Sequence, residues 1–164
     1  MRETQVRVAD LSGPDAAAVG SLVRAYLVQT EREKQTHLGE PFVAERLPDR
    51  YRDEVAHPAR AYDGAVVLVA ELDGATVGVA VVQDAGEAGE LKRLWVDPRA
   101  RGHRVGSALI DAALDGRDRP LRLTVWDWRV DAVELYRRRG FVPVPSWDER
   151  PRLLCFEWRA TRGL

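Results

Sequence analysis

The spacing of apolar residues along the chain predicts seven short strands. Apolar and polar residues alternate in TQVRVADL (4–11), LRLTVW (121–126) and RLLCFEW (152–158), which is the period of a strand with one buried face. GAVVLVAELDGATVGVAVVQD (64–84) holds two β-rich runs joined at Asp73-Gly74, a dipeptide typical of two-residue hairpins. GELKRLWV (89–96) predicts a further strand, and FVPV (141–144) a short one near the C-terminus.

Four other segments have the spacing of a helix. In SGPDAAAVGSLVRAYLVQT (12–30), Pro14 stands near the start and apolar residues recur at helical intervals. The polar stretch that follows has a weaker helical pattern, formed by Val43, Leu47, Tyr51 and Val55. Pro48 must start, kink or interrupt that helix.

The last two predicted helices lie in the second half of the chain. Residues 102–114 place apolar side chains at i, i+3, i+4 and i+7. VDAVELYRRRG (130–140) ends at Gly140, a residue well suited to follow a helix. The predicted order is therefore β-α-α-β-β-β-α-β-α-β-β, an α/β (α+β) arrangement of about seven strands and about four helices. A chain of 164 residues suffices for one such domain, so we expect residues 1–164 to form a single domain.

Composition and charge exclude several classes of function. With 25 basic against 26 acidic residues the net charge is −1, so no overall field attracts nucleic acid or a membrane surface. Cys155 is the only cysteine, which rules out an internal disulfide and a cysteine-based zinc site, and no metal is expected. The N-terminus lacks the apolar core of a signal peptide and no apolar run could span a bilayer, which predicts a cytoplasmic protein.

The stretch LWVDPRARGHRVGSALI (94–110) is the strongest candidate for a binding site. It places arginines and glycines where a strand ends and a helix begins. The first N–H groups of a helix have no internal partners and bind anions, and Arg101 and Arg104 can add charge-assisted hydrogen bonds to phosphate. Gly102 and Gly106 leave room for a bulky diphosphate. The sequence lacks both the P-loop and the G-x-G-x-x-G motif. An ordinary helix N-terminus with solvated arginines is the alternative.

The order of elements and two motifs resemble the GCN5-related N-acetyltransferase (GNAT) family over nearly the whole chain. The family places a V-x-P turn and an Arg/Gln-x-x-Gly-x-Gly/Ala loop before a helix, and this chain has VDP followed by RGHRVG (101–106). A second family motif, Asn-x-x-Ala-x-x-Leu-Tyr-x-x-x-Gly-Phe, is matched by RVDAVELYRRRGF (129–141). The resemblance implies the GNAT fold, with a mixed, mostly antiparallel central sheet.

The resemblance also implies acetyl-CoA as cosubstrate, with its pyrophosphate on the glycine-containing loop. The residues implied to bind it are Leu94, Trp95, Val96, Arg101, Gly102, His103, Arg104, Val105, Gly106 and Ser107. Among these, the backbone at or beside Leu94 would stabilise the oxyanion, and Val96 would bond the pantetheine arm. Two positions depart from the family pattern. Arg104 replaces its usual first glycine, and Arg129 replaces an asparagine whose role is not transferred to it.

For catalysis, the resemblance implies Tyr136 as the acid that protonates the departing thiolate. The ordinary pKa of a tyrosine is near that of a thiol, which would make this proton transfer nearly balanced. Glu90, eleven positions before Arg101, has the spacing of the catalytic glutamate in the histone-acetylating branch. A core tyrosine and a surface glutamate are the alternative interpretations. Other candidate bases are Asp127, Glu31, Glu33 and His37.

The expected reaction is acetyl transfer to a primary amine of a small molecule or peptide by direct attack through a tetrahedral intermediate. The sequence does not determine which amine is the acceptor. Acidic residues and Trp126, Trp128 and Trp147 suit a cationic amine, whereas Arg46, Arg50 and Arg52 suit a carboxylate. A non-catalytic acyl-CoA sensor is the competing class. A homodimer is expected as well, because PRLLCFEWRA (151–160) has the pattern of an apolar edge strand.

Overall fold

Seven strands form one sheet in the structure, a computed structural model that describes residues 3–43 and 46–161. The strands in chain order are β1 (Thr4–Val8), β2 (Val66–Leu72), β3 (Ala75–Ala85), β4 (Ala88–Val96), β5 (Leu121–Trp126), β6 (Val142–Pro143) and β7 (Leu153–Trp158). Their spatial order is β1-β2-β3-β4-β5-β7-β6. Every neighbouring pair is antiparallel except β4 and β5, which are parallel. The predicted mixed, mostly antiparallel sheet is confirmed.

Five α-helices accompany the sheet within the described ranges. They are α1 (Asp15–Leu38), α2 (Arg52–Ala56), α3 (Pro58–Ala61), α4 (Val105–Leu114) and α5 (Val130–Arg138). The first is longer than the sequence predicts, because its polar second half continues to Leu38 and ends at Gly39, with φ of 70°. The helix predicted across 43–55 is instead a 3₁₀ turn (Asp49–Tyr51), directly after Pro48, followed by two short helices. Residues 44 and 45 of that prediction lie outside the described residues.

The helices bury apolar side chains on both faces of the sheet. On one face, which we call the α4–α5 face, side chains of β2 to β5 and β7 pack against Leu109, Ile110 and Tyr136. On the other, the α1 face, strand residues such as Val69 and Val79 pack against Val19 and Val23. The turn between β2 and β3 is the predicted Asp73-Gly74 hairpin, with φ of 53° and 78°.

The sheet divides between β4 and β5, and this split positions the candidate site. The two strands pair only through Gly89 with Leu121 and Glu90 with Arg122. Residues 91–96 of β4 and 123–126 of β5 then continue without pairing to each other. A β-bulge assists the separation, because Arg93 adopts φ of 58° where β4 has one more residue than β3. We call the open space between these two segments the wedge.

The C-terminal strands differ from expectation. Strand β7 lies between β5 and β6 in the sheet. On the side away from β5, its residues Glu157 and Phe156 pair with β6. The Val144 N–H continues this cover by donating to the Cys155 carbonyl at 3.0 Å. The prediction that 151–160 forms an open edge strand is therefore wrong, because the short β6 covers it. Within the described residues, no helix has the length and apolar character needed to cross a membrane.

Candidate active site

The loop after β4 leads into the N-terminus of α4, which begins at Val105. Arg104 is the residue before the helix, and its side chain makes no capping hydrogen bond. Among the described residues, no carbonyl or side chain accepts a hydrogen bond from the N–H groups of residues 102–107. A row of unpartnered N–H groups at the positive end of a helix favours an anion.

The two glycines of this loop have different surroundings. Gly102 has φ of 86°, and a Cβ there would meet nothing within 4 Å. A Cβ on Gly106 would instead lie 3.1 Å from Leu135 Cδ2 and 3.8 Å from Val96 Cγ2. Gly106 therefore permits close contact between α4 and α5. The expectation that its missing Cβ makes room for diphosphate does not match this geometry, although its N–H faces no competing acceptor among the described residues.

Arg104 occupies a left-handed conformation, with φ of 61° and ψ of 25°. This backbone favours glycine, since only glycine adopts it without cost. The arginine side chain is exposed.

We expect Arg104→Gly to raise the free energy of unfolding by about 1 kcal/mol, because it relieves the left-handed strain. Urea denaturation of the ligand-free protein measures the change. Arg104→Ala is the matched control and should bring no such gain, because alanine has the same strain. Equal stability of the Gly and Ala variants would contradict the strain argument.

Arg101 connects the loop to the end of β4. Its Nε donates to the Val96 carbonyl at 3.3 Å, and its guanidinium lies 4.9 Å from the centre of the Trp95 ring. The His103 side chain is exposed, and its carbonyl accepts from Thr4 Oγ1 at 3.4 Å. Leu94, Trp95 and Val96 are half-buried residues of β4 along the wedge, and Ser107 is a half-buried residue in the first turn of α4.

Tyr136 lies on α5 with only 7% of its surface exposed, and its ring contacts Phe141 at a centroid distance of 5.8 Å. Among the described residues, its hydroxyl has no hydrogen-bond partner. Burial raises the pKa of Tyr136 well above its ordinary value, the phenol of Tyr26 raises it further, and Arg129 opposes the change. The expectation that the pKa of Tyr136 lies near that of a thiol is therefore wrong. The phenol keeps its proton at neutral pH and is a weaker acid than the sequence suggested.

The phenol of Tyr26 raises the pKa of Tyr136 although their helices pack on opposite faces of the sheet. Tyr26 belongs to α1 and packs against the α1 face, whereas Tyr136 belongs to the α4–α5 face. The wedge is the opening in the sheet between these two faces.

Glu90 is exposed at the closed end of the wedge, beside Arg122 of β5. Leu94 lies four positions further along β4, so the two Cα atoms are at most about 13 Å apart at about 3.3 Å per residue. Glu90 would therefore act on an amine near Leu94 through intervening water.

The other candidate bases are already engaged. Arg152 bonds Asp127 at 2.9 Å, and Lys34 contacts the buried Glu31 at 3.3 Å. His37, at the end of α1, stacks on Trp128 with a centroid distance of 4.5 Å.

Glu33 is the most strongly held of these candidates. It accepts hydrogen bonds from Arg129 Nε at 2.7 Å and from Trp128 Nε1 at 2.8 Å. Burial raises the pKa of Glu33, but these hydrogen bonds outweigh burial and leave it below the usual range. A carboxylate held in this way is a poor base.

Sequence reasoning missed three residues beside the wedge: Tyr26, Glu54 and Arg93. Arg93 donates to both oxygens of Glu54, at 2.7 and 3.1 Å, and Tyr62 donates to the same carboxylate at 2.7 Å. A charged residue inside the strand ELKRLWV was the available signal for Arg93. Nothing in the local pattern links Glu54 to it, because 39 positions separate the two.

No group of three or more His, Cys, Asp and Glu side chains is placed to hold a metal ion in the part of the chain that the structure describes. The candidate site thus consists of a helix start with unpartnered N–H groups, an open strand edge and a buried tyrosine.

Comparison with known proteins agrees with this arrangement. Residues 63–143 match the family model described as Acetyltransferase (GNAT) domain. An uncharacterized N-acetyltransferase of Schizosaccharomyces pombe is 29% identical over 108 residues, a match that covers 60% of this chain and 66% of the relative. The chain thus spans just under two thirds of that relative's length.

Two solved structures share the fold. An acetyltransferase of the GNAT family from Staphylococcus aureus has a TM-score of 0.65 at 13% identity, covering 95% of this chain and 98% of its own. A Corynebacterium glutamicum protein, described as histone acetyltransferase HPA2 and related acetyltransferase, has a TM-score of 0.64 at 21% identity, covering 98% of each chain. The matched residues and the shared fold lead to one conclusion: residues 63–143 carry a domain of the GCN5-related N-acetyltransferase family, and the chain has the fold of its acetyltransferases.

Proposed function

We propose that this protein transfers the acetyl group of acetyl-CoA to the primary amine of a small molecule or peptide. The observation that carries the proposal is the wedge between β4 and β5, which opens beside the unpartnered N–H groups of residues 102–107. An extended ligand with a diphosphate at one end and a thioester at the other fits such a site. We also propose that the protein is cytoplasmic, that it acts as a single domain and that it needs no metal.

The geometry supports the following binding roles. The N–H groups of residues 102–107 hold the diphosphate, and the exposed Arg101 and Arg104 add charge. The pantetheine arm lies along the open edge of β4 and uses the backbone of Leu94, Trp95 and Val96. Arg101 donates a hydrogen bond to the Val96 carbonyl. If the pantetheine arm donates to the same carbonyl, Arg101 must first release it.

The chemistry is direct attack. A neutral amine nitrogen forms a bond to the thioester carbonyl carbon, and the backbone N–H at or beside Leu94 stabilises the oxyanion. The C–S bond then breaks, the nitrogen loses one proton to Glu90 through water, and the thiolate receives one from Tyr136. Because its pKa is raised, Tyr136 first stabilises the thiolate as a hydrogen-bond donor.

Release of free thiol from acetyl-CoA, measured with a panel of primary amines, tests the proposal. We expect release that depends on the amine, together with an N-acetylated product detected by mass spectrometry. Suppose that coenzyme A alone raises the melting temperature and that acetyl-CoA releases no thiol with any amine of the panel. The protein would then be an acyl-CoA sensor instead. The absence of both effects would contradict the whole proposal.

The expected homodimer stays a prediction, although β6 covers the strand edge that first suggested it. Sedimentation velocity at micromolar concentration decides between the two states. A single species with the 18.4 kDa mass of the chain would contradict a dimer.

A further inference from the structure

Carboxylates on the α1 side of the wedge are already neutralised by arginines. Four such pairs are Glu33 with Arg129 at 2.7 Å, Glu54 with Arg93 at 2.7 Å, Asp127 with Arg152 at 2.9 Å and Asp148 with Arg150 at 2.8 Å. Stacked rings connect this region, because Trp128 stacks on both His37 and Trp126. A cationic acceptor would meet carboxylates whose charge these arginines already balance, and separating a half-buried pair in order to bind it is unfavourable.

Two of these arginines lie at the wedge itself, one on each side. Arg93 belongs to the bulge of β4, and Arg129 stands between β5 and α5. Their guanidinium carbons lie 5.7 and 5.3 Å from the centre of the Tyr26 ring, so they are at most about 11 Å apart. Their side chains are 21% and 18% exposed.

Each of these two guanidinium groups keeps unused donors. Arg93 uses Nε and Nη2 for Glu54, and Arg129 uses Nε and Nη2 for Glu33 and Thr30. Among the described residues, no acceptor bonds either Nη1 atom. Neither Nη1 is a buried atom that lacks a hydrogen-bond partner. Both Nη1 groups therefore retain access to solvent. The carboxylate partners fix the guanidinium planes, so a ligand would meet donors that are already oriented.

We propose that the acceptor carries a carboxylate close to its primary amine, as an amino acid does, and that Arg93 and Arg129 bind that carboxylate through Nη1. This inference rests on the proposed function. The amine must reach the thioester in the wedge, and both arginines lie at its sides, so only a few bonds can separate the two groups of the acceptor. The half-buried rings of Tyr26 and Trp95 stand in edge contact here, with centroids 6.3 Å apart, and offer an apolar surface to the rest of the molecule.

The test compares amines that differ only at the carboxylate. Thiol release is measured first with the twenty amino acids and with spermidine, and then with the best amino acid, its primary amide and its decarboxylated amine. We expect kcat/KM for the amino acid to exceed that for the other two by about 10- to 100-fold, the usual range for hydrogen bonds to a charged group. Equal rates for the three amines, or a preference for spermidine, would overturn the inference.

A pair of double variants assigns the effect to Arg129. Glu33→Gln with Arg129→Asn removes the guanidinium without leaving an unpaired carboxylate, and it installs the amide that many family members have. The preference for the amino acid over its amide should fall toward unity. Glu134→Gln with Arg138→Gln removes an exposed ion pair of α5 without changing net charge, and should retain the preference. An unchanged preference in the first variant would exclude Arg129 and overturn the proposal.

A binding measurement separates this inference from the proposed function. If no amine releases thiol, transfer is contradicted, and calorimetry with the protein saturated with coenzyme A decides the carboxylate question. N-acetylphenylalanine should then bind more tightly than its primary amide. Equal binding, or no binding of either compound, would overturn the inference as well.

Discussion

Replacing Tyr136 with phenylalanine should reduce turnover by about a hundred- to ten-thousandfold, the usual range for loss of a general acid. The change removes the only proton that the side chain can donate to a departing thiolate. It keeps the ring, and with it the contact with Phe141 at 5.8 Å. Steady-state thiol release at saturating acetyl-CoA and amine measures the effect on kcat.

The stability of this variant should hardly change, which separates a catalytic tyrosine from a core tyrosine. The Tyr136 hydroxyl bonds no other described group, so its removal leaves no buried donor or acceptor without a partner. Tyr62→Phe is the matched control, because the Tyr62 hydroxyl donates to Glu54 at 2.7 Å. Losing that hydrogen bond to a charged group should cost about 1.5–3 kcal/mol in the free energy of unfolding.

The pH dependence gives a second measurement on Tyr136. Burial raises the pKa of Tyr136, so the phenol stays protonated well beyond the ordinary tyrosine range. We therefore expect wild-type kcat to show no decrease near pH 10 that depends on Tyr136. A decrease there that disappears in Tyr136→Phe would show that bound substrates restore an ordinary pKa. Full activity of a folded Phe variant, with chemistry shown to limit the rate, would remove Tyr136 from the mechanism.

The sequence predicts the order of strands and helices well because each element has a clear local signal. The hairpin at Asp73-Gly74 shows this, since both residues adopt the left-handed conformations that its turn needs. The second half of α1 lacks an apolar period, yet it is helical to Leu38, and the Glu31–Lys34 pair is buried there. Tertiary packing, which no local pattern records, decides such a segment.

The candidate site is less predictable, because its contacts join distant parts of the chain. The motif identifies the loop and Tyr136, but the pairing of Arg129 with Glu33 spans 96 positions. Gly106 shows a different limit. Its place in the motif suggested room for a ligand, whereas its missing Cβ makes room for Leu135 on α5. The raised pKa of Tyr136 also depends on burial, which the motif does not determine.

Ser107→Asp should weaken coenzyme A binding by about 100-fold while making the ligand-free protein slightly more stable. Ser107 is the third residue of α4, where a carboxylate interacts favourably with the helix dipole. The expected gain is about 0.3–1 kcal/mol in the free energy of unfolding. The same carboxylate would compete for the N–H groups of residues 102–107 and repel a diphosphate. Two unit charges about 5 Å apart at an effective dielectric of about 20 repel by about 3 kcal/mol, which is about a 100-fold loss of affinity.

The opposite signs of the two effects make this variant informative about the loop. Melting temperatures measured with and without coenzyme A report both, and Ser107→Asn is the matched control because it adds a side chain of similar shape without charge. We expect the Asn variant to keep a coenzyme-dependent rise in melting temperature that the Asp variant lacks. If the Asp variant keeps that rise, the start of α4 does not hold the diphosphate. If it loses stability without ligand, the N–H groups of residues 102–107 are not the open donors that this structure shows.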